Sequence, residues 1–178
     1  MKGYTVSRTQ NKFTVVGCDT YGRIQGSRGG ELYATGCESI CRSTKYIDNG
    51  DCSGIGCCQT SIPKLLTDSI VTVSSFNNSK AVWDFSPCSY AFIVQEDMFN
   101  FSLNHFKDLR NVSRHPVVLD WTIGEDTCDV AVTNLTSYAC KSTNSRCENR
   151  DIGYNCYCSM GYRGNPYIPN GCEGMYSL

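Results

Sequence analysis

Residues 52–63 read Cys52-Ser53-Gly54-Ile55-Gly56-Cys57-Cys58-Gln59-Thr60-Ser61-Ile62-Pro63 and hold three of the 13 cysteines of this chain. Six cysteines are packed into residues 18–58, and Cys88 follows them. A segment so rich in cysteine and glycine is predicted to be held together by cross-links more than by a hydrophobic core. The sequence leaves the pairing open among Cys18, Cys37, Cys41, Cys52, Cys57, Cys58 and Cys88.

Cysteine content and glycosylation sequons together predict an extracellular protein. In the cytosol these thiols would be reduced and would need a metal or a redox role, whereas outside the cell they become cross-links. Asn-x-Ser/Thr sequons without proline in the middle position begin at Asn77, Asn100, Asn111 and Asn134. Four sequons in one short part of a cysteine-rich chain favour passage through the secretory pathway.

The chain contains no apolar run long enough for a signal peptide at its start or for a membrane span. A secreted-type chain without such a signal is predicted to be incomplete at its N-terminus. The odd number of cysteines, 13, predicts that at least one lacks an internal partner. The net charge of −1 gives no global field to attract nucleic acid or anionic membrane, so we expect neither as a partner.

The middle of the chain predicts a small antiparallel sheet. Short β-branched and aromatic runs separated by turn residues are typical of strands, and they occupy residues 13–16, 70–73, 81–85, 90–94 and 117–121. The glycine-rich residues 22–30 are predicted to form a loop. Within residues 99–112, apolar side chains three apart predict a short helical segment.

A composition shift near Ser137 predicts a domain boundary, with a cysteine-rich antiparallel β domain over residues 1–137 and a small module over residues 138–178. The second part resembles an epidermal-growth-factor-like (EGF-like) module, with the spacing Cys140-x6-Cys147-x8-Cys156-x-Cys158-x13-Cys172. A segment this short depends on bridges, each contributing about 2–4 kcal/mol. The fold class predicted for the whole chain is therefore small, disulfide-rich and mostly β.

The resemblance to an EGF-like module implies a disulfide pattern. By the usual connectivity of that module, Cys140 would pair with Cys156 and Cys158 with Cys172. Cys147 would then need a partner upstream, and Cys128 is the nearest candidate. The separation of Cys128 from Cys140 is longer than such modules commonly show.

Several motifs resemble the ectodomain of plant wall-associated receptor kinases over nearly the whole chain. They are residues 11–20 (Asn-Lys-Phe-Thr-Val-Val-Gly-Cys-Asp-Thr), 36–41 (Gly-Cys-Glu-Ser-Ile-Cys), 52–63, 87–92 (Pro-Cys-Ser-Tyr-Ala-Phe), 116–121 (Pro-Val-Val-Leu-Asp-Trp) and 162–167 (Tyr-Arg-Gly-Asn-Pro-Tyr). The Cys-Cys-Gln-Thr-Ser-Ile-Pro part of residues 52–63 is the most specific of them.

The resemblance implies an extracellular, apoplastic module of a single-pass plasma-membrane receptor that contacts pectin or oligogalacturonides in the cell wall. Other apoplastic proteins are the alternative partners, with this segment acting as a spacer. The family's N-terminal galacturonan-binding module, the Asp-Ile-Asp-Glu-Cys opening of its calcium-binding module and its membrane helix are not found in this sequence. The chain also lacks the glycine-rich loop, Val-Ala-x-Lys and His-Arg-Asp motifs of a kinase, so we expect no enzyme activity and no cofactor.

Other uses of these residue types are less favoured. Cys37, Cys41, Cys156 and Cys158 could offer thiolates to zinc, but His105 and His115 are the only histidines and neither is near them in sequence. A nucleophilic cysteine needs a free thiol and a base, whereas bridges are the default here. The adjacent acids Glu96-Asp97 and Glu125-Asp126 would point to opposite faces of a strand and could not flank one glycosidic bond.

One local feature fits a polyanionic ligand. Lys107, Arg110 and Arg114 lie within residues 105–115 at spacings of three and four, so they would share one face if this stretch is helical. Guanidinium groups suit the carboxylates of a uronic acid polymer. A glycan at Asn111 could cover the same stretch, and a solvated charged face is the alternative interpretation.

Overall fold

A computed structural model describes residues 4–28, 30–64, 69–112 and 114–175. Within them the chain forms two compact units: Thr5–Asp120, and the residues from Trp121 onward together with Tyr4. Strands and small antiparallel sheets dominate both units, which confirms the predicted disulfide-rich, mostly β fold. The domain boundary near Ser137 stays a prediction; the second compact unit begins at Trp121, ahead of the bridge between Ile123 and Tyr154.

Two three-stranded antiparallel sheets build the Thr5–Asp120 unit. One has the order β5-β2-β7, and the other has the order β4-β3-β6. A separate strand pair joins β1 to β8. The strand bounds are Tyr4–Val6 (β1), Asn11–Val16 (β2), Thr20–Arg28 (β3), Glu31–Ser39 (β4), Cys57–Ser61 (β5), Ile70–Ser75 (β6), Tyr90–Gln95 (β7) and Leu119–Trp121 (β8).

Gly22 on β3 is needed where the two sheets approach each other. A Cβ atom added there would lie 2.3 Å from Val15 Cγ2 and 3.2 Å from Ala91 Cβ. The prediction of a loop over residues 22–30 is wrong for residues 22–28, because β3 runs on to Arg28, and residue 29 lies outside the described residues. Gly22 serves close packing between sheets and not a turn, a distinction that composition alone does not make.

Residues 81–85, predicted as a strand, instead form consecutive turns. The Val82 amide donates to the Ser79 carbonyl at 3.0 Å, and the Phe85 amide donates to the Val82 carbonyl at 3.1 Å. These local hydrogen bonds pair backbone N–H and C=O groups without a neighbouring strand. The Val82 side chain is buried in this turn conformation. The predicted runs 13–16, 70–73 and 90–94 lie within β2, β6 and β7, which confirms them, whereas only the end of 117–121 is in a strand.

The predicted helical segment is short. It consists of α1 (His105–Asp108) followed by a 3-10 turn over Leu109–Asn111. Phe106 and Leu109 are buried in a core cluster with Val16, Cys57 and Phe101. The apolar three-residue spacing therefore marks a real buried face, although Val112 at its end is 46% exposed.

Three disulfides hold the Thr5–Asp120 unit: Cys18–Cys41, Cys37–Cys58 and Cys52–Cys57. The Cys37–Cys58 bond ties β4 of one sheet to β5 of the other. Cys88 is the free cysteine of the described residues. These bonds resolve the pairing that the sequence left open.

The unit from Trp121 onward has a small core stapled by three further disulfides. Its elements are α2 (Cys128–Ala131), β9 (Ser145–Asn149), β10 (Tyr154–Cys158), β11 (Tyr162–Gly164) and β12 (Cys172–Gly174). The buried members of the core are Ala131, Tyr154 and Cys156. The bonds are Cys128–Cys147, Cys140–Cys156 and Cys158–Cys172, the same pairs that the resemblance to an EGF-like module suggests.

Candidate functional site

Gly56, near the centre of residues 52–63, packs against α1, which together with the 3-10 turn after it carries Lys107 and Arg110. Its φ of +82° lies in the left-handed region, which favours glycine. A Cβ atom there would lie 2.9 Å from Ile47 Cγ2 and 3.1 Å from Phe106 Cζ. The Gly56 carbonyl also accepts the Gly17 amide at 3.0 Å, just beyond β2. Residues 52–63, called the signature stretch below, thus pack directly against α1.

Lys107, Arg110 and Arg114 are all exposed. In the part of the chain that the structure describes, none of the three forms an ion pair. Because Phe106 and Leu109 are buried, the backbone between Lys107 and Arg110 is held in place. Cations that are fixed at their base and lack an acidic partner remain available to an anionic ligand.

The helix ends before Arg114, so the expectation that all three basic residues share one helical face holds only for Lys107 and Arg110. Val112 leaves the helix with φ −90° and ψ +105°. Pro116 disfavours the helical conformation for His115, which limits any continuation. Arg114 therefore lies beyond the helical segment, and Ser113 beside it lies outside the described residues.

His105 and His115 form an aromatic cluster beside the basic residues. His115 stacks on Phe92 with ring centroids 4.1 Å apart, and His105 stacks on Phe99 at 5.1 Å. His105 Nδ1 accepts the Ser102 amide at 3.1 Å, which only the neutral form of the ring can do. Sequence reasoning missed this cluster, since nothing in the spacing of the two histidines signals that their rings meet phenylalanines from β7 and the loop after it.

Desolvation by burial lowers the pKa of both histidines. Asp108 partly opposes the effect on His105, and the nearby His105 further lowers the pKa of His115. A base whose pKa is lower in the folded state binds protons more readily when unfolded. Its contribution to stability is complete above the unfolded pKa of about 6.5 and is lost as the pH falls toward the folded pKa.

We therefore expect the free energy of unfolding of the Thr5–Asp120 unit to fall between pH 7.5 and pH 5, the window in which only histidine ordinarily titrates. Urea unfolding followed by fluorescence at the two pH values measures this. The His105→Gln, His115→Gln double variant is the control and should lose most of the pH dependence. If the free energy of unfolding of the variant falls as much between pH 7.5 and pH 5 as that of the unaltered protein, other groups are responsible for the pH dependence.

Cys88 and Tyr90 form a second group that sequence reasoning did not connect. Desolvation raises the pKa of the Tyr90 phenol, the neighbouring Cys88 thiol adds to the rise, and Arg110 lowers it. The Tyr90 hydroxyl is buried and has no hydrogen-bond partner among the described residues. Since residues i and i+2 of an extended chain share a face, the sequence carried a signal for this contact.

The remaining predicted site residues are distributed over the surface. The four sequon asparagines, Asn77, Asn100, Asn111 and Asn134, are exposed, and their glycosylation stays a prediction. Glu96 forms an ion pair with Lys12 at 3.1 Å.

Among the described residues, no group of three or more His, Cys, Asp or Glu is arranged to hold a metal ion. The described part of the chain also has no helix long and apolar enough to cross a membrane.

Comparison with known proteins identifies relatives over most of the chain. The family model described as "Wall-associated kinase" matches residues 49–132, which contain the signature stretch, α1 and the basic residues. Wall-associated receptor kinase 2 of Arabidopsis thaliana is 46% identical over 168 residues, covering 93% of this chain and 22% of the relative. Wall-associated receptor kinase 5 of the same plant is 45% identical over 171 residues, with the same two coverages.

A further relative, wall-associated receptor kinase 3 of Arabidopsis thaliana, is 41% identical over 182 residues, covering 94% of this chain and 24% of that protein. The chain thus spans about a fifth of the length of the curated relatives it matches. No solved structure matches it.

Proposed function

Because the chain belongs to the wall-associated receptor kinase family, we propose that it is a non-catalytic extracellular module that binds cell-wall pectin in its de-esterified, galacturonan form. Its relatives are named as receptors, which supports a cell-surface or extracellular location. The chain covers about a fifth of the length of those relatives. We therefore also propose, and do not take from the relatives, that the module serves a receptor that signals at the cell surface.

The observation that carries the proposal is a set of three exposed cations without ion-pair partners among the described residues, two of which, Lys107 and Arg110, lie on a helical segment with buried anchors. Lys107, Arg110 and Arg114 have no acidic partner among the described residues, although the chain as a whole carries 17 acidic residues. A galacturonan presents one carboxylate on each sugar, so a run of spaced cations can be matched by consecutive sugars. Binding that depends on such contacts weakens as salt screens the charges over about 10 Å at 0.1 M.

Replacing Lys107, Arg110 and Arg114 with glutamine is expected to lower the affinity for polygalacturonate about tenfold at low salt, because each exposed contact contributes about 0.2–1 kcal/mol. Affinity electrophoresis through gels containing polygalacturonate measures the change. The matched control replaces Arg42, Lys45 and Lys80, exposed basic residues elsewhere on the same unit, and removes the same charge. Equal losses in the two triple variants, or no retention of the unmodified protein at low salt, would refute the proposal.

The second candidate function is that of a spacer which contacts another protein and leaves sugar binding to other parts of a receptor. The exposed sequon residue Asn111, directly after Arg110, favours it, because a glycan there would cover the basic residues. Glycosylated protein carrying Asn111→Gln distinguishes the two. Stronger retention than the unaltered glycoprotein supports a pectin site that glycosylation regulates, whereas no retention of either protein supports the spacer.

A further inference from the structure

The register of the β4-β3-β6 sheet produces a groove on one of its faces. Tyr21 on β3 is directly opposite Glu38 on β4, and Arg23 is opposite Gly36. Directly opposed residues share a face, and so do residues two apart, so these side chains and Ala34 lie together. Long side chains on β3 stand beside a floor of Ala34 and Gly36, and the space between them is a shallow open groove.

An exposed aromatic pair forms one end of this groove. Tyr21 is 41% exposed and Phe76 is 51% exposed, with their ring centroids 4.8 Å apart. The contact with Phe76 holds the Tyr21 ring, so that packing a ligand against it costs little conformational entropy. A tyrosine ring offers an apolar face with a polar tip, which suits the alternating C–H and O–H surfaces of a pyranose sugar.

Two charges of opposite sign border the same groove. Arg23 and Glu38 are exposed, and neither has an ion-pair partner within the described ranges. A guanidinium group donates hydrogen bonds and a carboxylate accepts them, so the pair can bind neighbouring hydroxyl groups that both donate and accept. The Glu38 carboxylate would repel a polyanion, which separates this groove from the basic residues around α1.

We infer that this groove binds an uncharged pyranose polysaccharide. The sugar ring packs against Tyr21, while Arg23 donates to its hydroxyl groups and Glu38 accepts from them. The site is separate from the pectin contact proposed above and takes a ligand of different charge. Because the ligand is uncharged, its binding is insensitive to salt, in contrast to binding through Lys107 and Arg110.

Fully methyl-esterified homogalacturonan is the probe for this site, since esterification removes the charge of the polymer used above. Tyr21→Ala is expected to weaken binding about tenfold, the usual order of effect when an aromatic contact is removed. Arg23→Gln and Glu38→Gln should each weaken it severalfold, and both change exposed side chains only, so that the test survives if Tyr21→Ala does not fold. Tyr46→Ala is the matched control, because Tyr46 is 71% exposed and does not line the groove.

Salt-independent binding that falls in the three groove variants and persists in the control supports the inference. Failure of the unaltered protein to bind the esterified polymer overturns it. So does binding that survives all three groove variants or that disappears when Lys107, Arg110 and Arg114 are replaced. Because polygalacturonate and its ester are measured separately, loss of the pectin proposal and loss of this inference are distinguishable.

Discussion

Replacing Phe106 with alanine is expected to lower the free energy of unfolding of the Thr5–Asp120 unit by about 3–5 kcal/mol, the usual cost of removing a buried phenylalanine ring. Phe106 is 1% exposed and has ring contacts with Phe101 and Phe85, with centroids 5.6 and 6.4 Å apart. It also faces Gly56, which has no side chain to fill the resulting cavity. A typical domain has a total stability of only about 5–15 kcal/mol, so the loss is a large fraction of it.

Urea unfolding of the two proteins measures this loss. The control is Val112→Ala in the same segment, whose side chain is 46% exposed and whose replacement should change stability by about 0.5 kcal/mol or less. Phe106→Ala should also reduce the salt-sensitive retention on polygalacturonate, because Lys107 and Arg110 depend on the buried ring for their position. A loss of stability below about 1 kcal/mol would show that the cluster repacks and that this helix is not anchored by Phe106.

Removing the Cys140–Cys156 bond by replacing both cysteines with alanine is expected to destabilise the unit beyond Trp121 by about 3 kcal/mol, the chain-entropy value for a loop of this size. The bond closes a sequence separation of 16 residues. Cys156 is also 3% exposed and is one of the three buried members of a small core. With so little apolar surface to replace the cross-link, we expect this unit to unfold locally.

Amide hydrogen exchange measures where this unfolding occurs. Protection should fall across β9 and β10 while β2 and β7 keep theirs, because stability is distributed by cooperative unit. Cys88→Ala is the control, since that residue forms no disulfide and its loss should leave exchange in β9 and β10 unchanged. Full protection of β10 in the double variant would contradict the view that disulfides, more than the core, hold this unit.

The success of sequence reasoning about strands depended on burial. Residues 13–16 and all of residues 90–94 except Ala91 are β-branched or aromatic, and the two segments pair with each other in the β5-β2-β7 sheet, so local propensity and tertiary environment agree. The loop predicted for residues 22–30 and the strand predicted for residues 81–85 followed local composition, whereas residues 22–28 form part of β3 and residues 81–85 form turns. Gly22 in β3 allows the two sheets to pack closely, and the apolar run around Val82 forms turns in which the Val82 side chain is buried.

The basic site was predictable only in part. The three-residue spacing of Leu103, Phe106 and Leu109 indicated the buried side of the helix, and with it the exposure of Lys107 and Arg110. The absence of acidic partners for those cations, within the described residues, required side-chain positions. The stacking of His105 and His115 on Phe99 and Phe92 depends on contacts between segments distant in sequence, which no local pattern encodes.

By itself the sequence determined the disulfide-rich class, the family and the short helical segment, because cysteine number, motif spacing and apolar periodicity are properties of composition and neighbouring positions. The tertiary structure alone decided which of the first seven cysteines are bonded and left Cys88 free. It also showed why Gly56 stands between Ile47 and Phe106. A disulfide needs two Cβ atoms within about 4.5 Å, and a glycine is required where a Cβ would collide. The Cys18–Cys41 and Cys37–Cys58 bonds and the approach of Gly56 to Phe106 join parts of the chain that are distant in sequence, so these distances exist only once the sheets have packed.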